Sequence, residues 1–329
     1  MKGDAAGVYM PIEQKATQKL AISVVLPVYN EEKNLPALFE RLIKATSQLK
    51  RPFEIIAVDD GSKDASVKIL KEIATKHKEV RIIEFRTNLG QTAALSAGIE
   101  HARGDVIISM DSDLENDPAD ITRLLEKLDE GYDVVSGWRQ NRWEGAFLTR
   151  RLPSMVANWL ISRLTHVHLN DYGCTLKAYR ADVIKDVKLY GEMHRFVPAY
   201  AAWQGGKVTE LPVSYQPRMH GKSNYGMSRI FRVLLDLIVI VFMRRYMNRP
   251  MHFFGGWGFA ILGLGGFAGA ILVALRLLNV PPPIESLPII SMLLILMGMQ
   301  LILFGVMAEI LMRTYYESQH KRPYVIKRQ

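Results

Sequence analysis

Short apolar runs alternate with helical patterns through the first part of the chain. Runs rich in β-branched residues predict buried strands, and the amphipathic stretches between them predict helices. The predicted strands are Ala21–Pro27, Phe53–Val58, Val80–Phe85 and Val106–Met110, and the predicted helices run from Asn30 to Leu49, from Ser62 or Asp64 to His77, and over Leu95–Ala102. This alternation predicts an α/β fold of the Rossmann-like kind, with a mostly parallel sheet and helices on both faces.

The last third of the chain changes to long apolar stretches. Phe253–Leu275 and Leu287–Met312 each exceed the ~20 residues that cross a bilayer as a helix. The link at 279–286 is short and proline-rich, which predicts a transmembrane hairpin. Lys and Arg flank the outer ends of the hairpin but are absent from this link. The positive-inside rule therefore places the soluble domain and both termini in the cytoplasm. Two buried core helices of a soluble protein are the alternative.

The segment before the hairpin is amphipathic. Arg229, Arg232 and Asp236 recur at i, i+3 and i+7, which predicts a helix on the membrane surface, with a third span as the alternative. The expected organisation is a flexible lead over 1–20, a cytoplasmic catalytic domain over 21–226, the juxtamembrane helix over 227–250, two transmembrane helices within 251–313 and a basic tail over 314–329. Gly265 and Gly269 form a small-xxx-small pattern, so close helix packing or a homo-oligomer is also expected.

Charge and cysteine content narrow the class of protein. The 329 residues carry a formal net charge of +9, which favours an anionic membrane surface or phosphorylated substrates. Aromatic-basic motifs typical of nucleic-acid binding are absent, so nucleic acid is not an expected partner. A lone cysteine, Cys174, excludes an intrachain disulfide and gives no cysteine-based zinc site. No signal peptide is recognisable in the polar first twenty residues.

Polar clusters follow all four predicted strands. Ligands bind beyond the carboxyl ends of the strands in sheets of this kind, so these clusters are expected to converge on one site. They are Asn30-Glu31, Asp59-Asp60, Arg86-Thr87-Asn88 and Asp111-Ser112-Asp113. The paired aspartates of the last cluster suit Mg²⁺ or Mn²⁺, ions that usually accompany a diphosphate. Glycine-rich dinucleotide and P-loop motifs are absent, which disfavours those two classes of site.

These motifs, in this order, resemble the family-two glycosyltransferases of the GT-A fold. The first set is Val25–Glu32, Val58–Ser62, Arg86–Gly90 and Asp111–Glu115. The later segments Asp171–Arg180 and Arg218–Tyr225 are similar to those of polyprenyl-phosphate glycosyltransferases, a group that includes dolichol-phosphate mannose synthases and bactoprenol glucosyltransferases. The two-span tail is similar to that of the bactoprenol enzymes, and the resemblance covers about residues 20 to 320.

The resemblance implies roles for individual residues. The nucleotide would be held by Pro27, Tyr29, Asn30, Glu31, Asp59, Asp60, Arg86 and Asp111. The metal, Mg²⁺ or Mn²⁺, would be held by Asp111, Asp113 and Glu115, although family members often carry Gln where Glu115 stands. The acceptor phosphate would be bound by Arg139, Arg150, Arg151, Arg218, His220 and Lys222, since guanidinium groups bind phosphate oxygens bidentately. The expected catalytic residues are Asp113, Asp171, Arg139 and Arg151.

The implied reaction is an inverting, metal-dependent transfer of a hexose to polyprenyl (undecaprenyl) phosphate, with glucose from UDP-glucose as the first expectation. Mannose and modified arabinose remain open. A phosphate monoester with a second pKa of ~6 is largely dianionic at cytosolic pH, so a strong general base is unnecessary. Asp171 is the base by resemblance, or it orients the acceptor or Lys177. His194 is a further candidate for a residue on the acceptor side of the site. His166 and His168 have no carboxylates nearby in the sequence, so no role in the site is expected for them.

Two other functions remain open from the sequence. One is a processive polysaccharide synthase of the same fold, which carries more spans and a Gln-x-x-Arg-Trp motif after the sheet. Gln140-Asn141-Arg142-Trp143 is one residue shorter than that motif and lies too early in the chain, so we interpret it as a chance match. The other is a membrane-tethered sugar-nucleotide binding protein without catalytic activity. The carboxylate cluster and the basic segment near the membrane favour the transferase over this non-catalytic alternative.

Overall fold

The computed structural model describes residues 21–140, 142, 152–185, 187, 191, 193–217, 235, 237–239, 241–242, 245–246, 249–282 and 284–318. These residues fall into two compact units, divided between residues 230 and 231. The first unit is an α/β domain, and the second contains the two long apolar helices.

The α/β unit is built on a seven-stranded sheet. Its strands are β1 (Ile22–Val28), β2 (Phe53–Asp59), β3 (Val80–Glu84), β4 (Val106–Ser109), β5 (Val134–Trp138), β6 (Lys177–Arg180) and β7 (Val208–Pro212), in the order β3-β2-β1-β4-β6-β5-β7. The helices are α1 (Leu35–Gln48), α2 (Ser66–Lys76), α3 (Gln91–His101), α4 (Asp120–Asp129), α5 (Leu152–Thr165), α6 (Ala181–Ile184) and α7 (Val197–Trp203). The first four strands are parallel, while β6 runs antiparallel to both β4 and β5. This confirms the mostly parallel sheet.

The continuous apolar runs form the strands because both faces of the sheet are covered. Every residue of β1 is buried, as are all residues of β4. The main core packs α1 and α4 against the sheet through buried leucines such as Leu38, Leu42 and Leu124. Helix α3 lies close to β1 because Gly98 leaves room for the Val25 side chain, which a Cβ atom would meet at 2.2 Å.

The predicted elements differ from the structure mainly at their ends. Helix α2 begins at Ser66, after the expected Ser62 or Asp64, because the intervening residues bind the neighbouring loop instead of continuing the helix. Helix α3 begins four residues earlier than expected, directly after Gly90, whose φ of 94° permits the turn. Elements β5, β6, β7, α4, α5, α6 and α7 were not predicted.

The second unit contains two helices that are long and apolar enough to cross a membrane, α8 (Pro250–Leu277) and α9 (Leu287–Ser318). Both are largely exposed outside their mutual contact. Glycines bring the two helices together, since a Cβ atom at Gly258, Gly265 or Gly298 would lie under 3 Å from the other helix. Ser291 adds a hydrogen bond of 2.8 Å to the carbonyl oxygen of Gly265. Gly265 therefore serves packing within the hairpin, the first of the two roles expected for it.

The predicted juxtamembrane helix lies mostly outside the described residues. Its described residues, including Leu237–Val239 and Arg245–Tyr246, are helical except for Arg249, which precedes α8. The lead at 1–20 and the part of the tail after residue 318 also lie outside the described residues.

Candidate active site

The carboxyl ends of β1, β2, β3 and β4 lie along one edge of the sheet, because these four strands are parallel and adjacent. The register pairs Val28 of β1 with Asp59 of β2, and Asp59 with Glu84 of β3. The polar clusters that follow the four strands therefore meet at this edge, as the sequence predicted. The loop after β3 carries Arg86, which is exposed.

Hydrogen bonds tie the loops after β1 and β2 together. The N–H of Asn30 donates to Ser62 Oγ at 2.9 Å, and the Oδ1 atom of Asn30 accepts from the Lys63 N–H at 2.8 Å. Asn30 adopts a φ of 55°, a left-handed conformation that asparagine tolerates. The N–H of Glu31 donates to Ser66 Oγ at 2.9 Å. Asn30 and Glu31 therefore lie at the edge of the sheet and also help to hold its two loops together.

Asp60 supports the next loop. Its two carboxylate oxygens accept from the N–H groups of Leu89 and Gly90, at 2.7 and 2.9 Å. Gly61 has a φ of 70° and lies so close to this loop that a Cβ atom would be 2.6 Å from the Thr87 carbonyl carbon. Asp60, predicted to hold the nucleotide, is therefore engaged on both oxygens with the backbone.

Asp59 is arranged differently. Its Oδ2 atom accepts from the Ser62 N–H at 3.0 Å, while the buried Oδ1 atom has no hydrogen-bond partner among the described residues. Buried acceptors without a donor are uncommon, because leaving one unsatisfied costs about 1–3 kcal/mol. An N–H group of a bound nucleotide base is the kind of donor this oxygen lacks. Tyr29, which directly follows β1, is 42% exposed.

The Asp111-Ser112-Asp113 segment is fixed at the end of β4. Ser112 donates to the Pro27 carbonyl oxygen at 2.9 Å, and Asp111 Oδ1 accepts from Gln91 Nε2 at 2.6 Å. Asp113 is buried and accepts from the Glu115 N–H at 3.0 Å. The backbone between them turns at Leu114, whose φ is 61°.

Only two of the three predicted metal ligands are well arranged to bind a divalent cation. Within the described residues no group of three or more His, Cys, Asp or Glu is arranged to hold a metal. Mg²⁺ does not require such a cage, since one or two carboxylates with substrate phosphates and water complete its shell. Asp111 and Asp113 supply that pair. Glu115 fits less well, because its Oε2 atom pairs with Arg139 at 3.2 Å and with Arg142 at 3.4 Å.

A cluster of buried charges lies beyond β4, at the antiparallel side of the edge. Arg139 follows β5 and binds Asp171 bidentately, through Nε at 2.8 Å and through its NH2 group at 3.2 Å. Its remaining NH1 group reaches Glu115. The side chain of Arg139 is only 2% exposed. The structure thus brings together three predicted site residues, with Arg139 occupied by carboxylates.

The electrostatics of this cluster bear on the role of Asp171. Burial alone would raise the pKa of Asp171, but the charge and hydrogen bonds of Arg139 outweigh it and lower the pKa to about 2. A carboxylate with so low a pKa and both oxygens bound to a guanidinium is a poor proton acceptor. This geometry favours the orienting role of Asp171 over that of a general base.

Lys177 supports the turn that carries Asp171. Its ammonium is buried and donates to the carbonyl oxygens of Tyr172, at 3.3 Å, and Cys174. Burial lowers the pKa of Lys177 to about 8, although Cys174 and Asp171 oppose this shift. The turn also packs tightly on β5, since a Cβ atom at Gly137 would meet Cys174 Sγ at 2.9 Å.

Several residues at the site were not singled out from the sequence. Arg142, which belongs to a tetrapeptide interpreted as a chance match, pairs with Glu115. Tyr215 forms an isolated bridge with Asn116, and Gln216 donates its N–H to the Glu115 carbonyl oxygen at 3.0 Å. The only sequence signal for Tyr215 and Gln216 was their place just before the basic segment.

The remaining predicted residues have mixed outcomes. His194 is buried, and its Nδ1 atom lies 2.7 Å from the Oγ1 atom of Thr92, a residue at the start of α3. Five predicted phosphate-binding residues lie outside the described residues, namely Arg150, Arg151, Arg218, His220 and Lys222. Their roles stay predictions.

Comparisons with known proteins agree with this geometry. The profile of the family described as "Glycosyl transferase family 2" matches residues 23–188. Dodecaprenyl-phosphate galacturonate synthase from Rhizobium johnstonii is 44% identical over 94% of this chain and 93% of its own. Undecaprenyl-phosphate 4-deoxy-4-formamido-L-arabinose transferase from Edwardsiella ictaluri is 36% identical over 93% of each.

A solved structure shows the same fold. Glucosyl-3-phosphoglycerate synthase from Mycobacterium tuberculosis, in complex with Mn²⁺, UDP and phosphoglyceric acid, superposes with a TM-score of 0.52 over 68% of this chain and 78% of its own, at 18% identity. The sheet, its polar edge and the two full-length relatives lead to one assignment: the chain belongs to glycosyl transferase family 2 and is a glycosyltransferase of the polyprenyl-phosphate group.

Proposed function

We propose that this enzyme transfers a uronic acid, with galacturonate as the first candidate, from a UDP-sugar to a polyprenyl phosphate. The observation that carries the reaction is the strand edge. There, Asp59 at the end of β2 and the Asp111–Asp113 segment after β4 lie on either side of β1, and Asp59 Oδ1 has no hydrogen-bond partner among the described residues. The relative at 44% identity supports the choice of sugar, because it is named as a galacturonate synthase and the match covers nearly the whole length of both chains.

Glucose, the sugar first expected, is replaced by this proposal. The curated relatives described above are named for galacturonate and for 4-deoxy-4-formamido-L-arabinose. The formamido sugar is the second candidate, since relatives at 34–37% identity from several bacteria carry that name. UDP as the nucleotide is likewise part of the proposal.

The donor diphosphate is assigned to the Asp111–Asp113 segment. Asp111 and Asp113 would hold Mg²⁺ or Mn²⁺, which stabilises the charge of a departing diphosphate. The fold neighbour from M. tuberculosis is described with Mn²⁺. Gln91 fixes the orientation of Asp111, and the hydroxyl of Ser112 fixes the segment on β1. Asp59 accepts a hydrogen bond from the base.

The acceptor is assigned to the antiparallel side of the edge. The lipid phosphate is largely dianionic near neutral pH and can attack the anomeric carbon with inversion and without a strong base. Asp171 then serves to hold Arg139, whose guanidinium is engaged by Asp171 and Glu115, so that this cluster fixes the loops of the acceptor side without touching the phosphate. The predicted basic residues from Arg218 to Lys222 follow Gln216, which is hydrogen-bonded to the loop of Glu115. This connection supports their assignment to the acceptor phosphate.

The two long helices are assigned to the membrane. Their length, their apolar surfaces and the basic residues at the outer ends of the hairpin support two spans in the bacterial inner membrane, with both termini and the catalytic unit in the cytoplasm. That arrangement keeps the catalytic unit at the surface where its lipid acceptor resides.

A donor screen tests the function. The purified full-length protein, in vesicles containing undecaprenyl phosphate and Mg²⁺ or Mn²⁺, would be given radiolabelled UDP-galacturonate, UDP-4-deoxy-4-formamido-arabinose or UDP-glucose. We expect an acid-labile labelled lipid from UDP-galacturonate above the other donors. Label recovered in polymer, or in no lipid from any donor, would overturn the proposed reaction, and preference for another donor would overturn the sugar.

A further inference from the structure

The segment Leu89–Thr92, which leads into helix α3, is joined to three parts of the site. Its first two residues donate their backbone N–H groups to the two carboxylate oxygens of Asp60, at 2.7 and 2.9 Å. Its third residue, Gln91, donates through Nε2 to Asp111 Oδ1 at 2.6 Å. The hydroxyl of its fourth residue lies 2.7 Å from Nδ1 of His194. All four residues are therefore bound to side chains from outside the helix.

His194 reaches this segment from the antiparallel side of the edge. It lies in the short 3₁₀ turn Met193–Arg195, which is followed by Phe196. The Phe196 side chain is buried, and its ring centroid lies 6.5 Å from that of Tyr172. Tyr172 comes directly after Asp171 in the chain. The turn that carries His194 is thus packed beside the acceptor side of the site, while its histidine contacts the start of α3.

The contact between His194 and Thr92 is shielded from water, since each of the two residues is only 7% exposed. A hydrogen bond in such surroundings is strong, and breaking it is costly because a buried polar atom loses its partner. Further along, α3 is held against β1 at Gly98, where a Cβ atom would meet Val25 at 2.2 Å. The contact with His194 therefore fixes the first turn of α3, from which Gln91 reaches Asp111.

The bond from Gln91 sets the orientation of the Asp111 carboxylate. Groups that hydrogen-bond to a metal ligand hold it in the geometry that the metal needs, and their loss typically lowers metal affinity by roughly 10–100-fold. The contact between His194 and Thr92 acts one step further out, because it holds the helix turn that carries Gln91. A change at His194 should therefore be transmitted to Asp111.

We propose that His194 is a positioning residue for the metal ligand Asp111, acting through Thr92 and the first turn of α3. In this role His194 touches neither the metal nor a substrate. The proposal rests on the proposed function, in which Asp111 and Asp113 hold Mg²⁺ or Mn²⁺ on the donor diphosphate. It also moves His194 from the acceptor-side role expected from the sequence to the support of the donor side.

Calorimetry of UDP binding to the full-length protein tests this role without turnover, once with Mn²⁺ and once with a chelator. The wild type should bind UDP more tightly with Mn²⁺, because the ion joins the diphosphate to the two aspartates. His194→Ala should lose roughly tenfold in UDP affinity with Mn²⁺ and keep the wild-type affinity with the chelator. An equal loss under both conditions would show general damage and overturn the proposal, as would an unchanged affinity with Mn²⁺.

Further variants separate the hydrogen bond from the bulk of the imidazole ring. In His194→Asn the side-chain amide can replace Nδ1, so the affinity for UDP with Mn²⁺ should return toward that of the wild type. Thr92→Val keeps the shape of the residue without the hydroxyl, so it should lose as much as His194→Ala. The double variant should lose no more than either single variant, because both remove the same contact. Additive losses, or wild-type affinity in Thr92→Val, would overturn the proposal.

His101→Ala is the matched control. His101 is an exposed residue in the last turn of the same helix, and its Nδ1 atom lies 2.9 Å from the Ala97 carbonyl oxygen. The variant removes a histidine contact at the opposite end of α3 from Gln91, so UDP affinity should stay at the wild-type level under both conditions. A loss equal to that of His194→Ala would mean that α3 responds to any change, and would overturn the specific role.

Failure of the proposed function gives a different result. If UDP binds the wild type equally well with Mn²⁺ and with the chelator, Asp111 and Asp113 do not hold the metal, and the proposal for His194 falls with that assignment. If the wild type gains affinity from Mn²⁺ and His194→Ala gains as much, the metal assignment stands and only the proposal for His194 is wrong.

Discussion

The two sides of the strand edge are held in different ways. On the parallel side, the loops after β1, β2 and β3 are joined by hydrogen bonds between backbone N–H groups and side chains such as Ser62, Ser66 and Asp60. On the antiparallel side, Arg139, Asp171 and Glu115 are held by buried ion pairs. Many modest bonds fix the first side, whereas a few strong and mutually dependent charges fix the second.

This difference has an energetic consequence. A single neutral hydrogen bond contributes about 0.5–1.5 kcal/mol, so the parallel side should tolerate the loss of one. A buried ion pair is different, because removal of one partner leaves an uncompensated buried charge and costs about 3–5 kcal/mol. The loss of any one of these charges should therefore destabilise the whole antiparallel side.

The largest expected effect comes from Asp171→Ala. It leaves Arg139 buried with one carboxylate fewer, so we expect a loss of about 3–5 kcal/mol in the free energy of unfolding of the α/β unit. Denaturant unfolding followed by tryptophan fluorescence measures this loss. A fully stable variant that has lost activity would contradict the orienting role and restore Asp171 as a base.

Asp113→Ala should act on the reaction more than on the fold. The loss of one of two carboxylates for the metal should reduce transfer by roughly 10²–10³-fold, or about 2.7–4 kcal/mol in the barrier. The unfolding curve should change less than that of Asp171→Ala. Near-normal transfer at saturating Mg²⁺ or Mn²⁺ would remove Asp113 from the metal site.

Lys177→Met tests a buried charge without a bidentate partner. The pKa of Lys177 is lowered from 10.5 to about 8, so the folded state binds its proton less tightly than the unfolded state does. The stability of the wild type relative to Lys177→Met should therefore rise as pH increases from 8 to 10.5, and fall as pH returns through 8. The change is on the order of 3 kcal/mol.

Unfolding of both proteins at several pH values between 7 and 10.5 measures that difference. Lys185→Met is the matched control, because the Lys185 ammonium also donates to a backbone carbonyl oxygen, that of Ala102, but the residue is exposed. A stability difference independent of pH would show that Lys177 keeps its ordinary pKa.

Ser62→Ala should have the smallest effect. It removes the acceptor for the Asn30 N–H on the exposed side of the loop, at a cost of about 1 kcal/mol or less. Nucleotide affinity, measured by calorimetry with UDP, should weaken only a few-fold. A loss as large as that of Asp171→Ala would show that the parallel side is as interdependent as the antiparallel side.

The sequence predicted one side of the site better than the other. The parallel strands could be predicted because each is a continuous apolar run followed directly by polar residues, as at Asp59 and Asp111. The apolar run of β5 is interrupted by Ser136 and Gly137, and β6 contains Lys177 and Arg180, so periodicity did not indicate these two strands. Arg142 and Tyr215 are distant in sequence from Glu115, and no local pattern predicts their approach.

The sequence by itself determined the α/β class, the polar edge at the ends of the first four strands, and the pair of long apolar helices. These follow from local periodicity and from the rule that parallel strands share an edge. Only the tertiary structure decided which side chains are engaged. It placed both oxygens of Asp60 on the backbone, left one oxygen of Asp59 without a partner among the described residues, and joined Arg139 to Asp171. Those outcomes depend on distances between segments that are far apart in the chain. They also depend on burial, because the low dielectric of the interior increases both the strength of an ion pair and the cost of a polar atom without a partner.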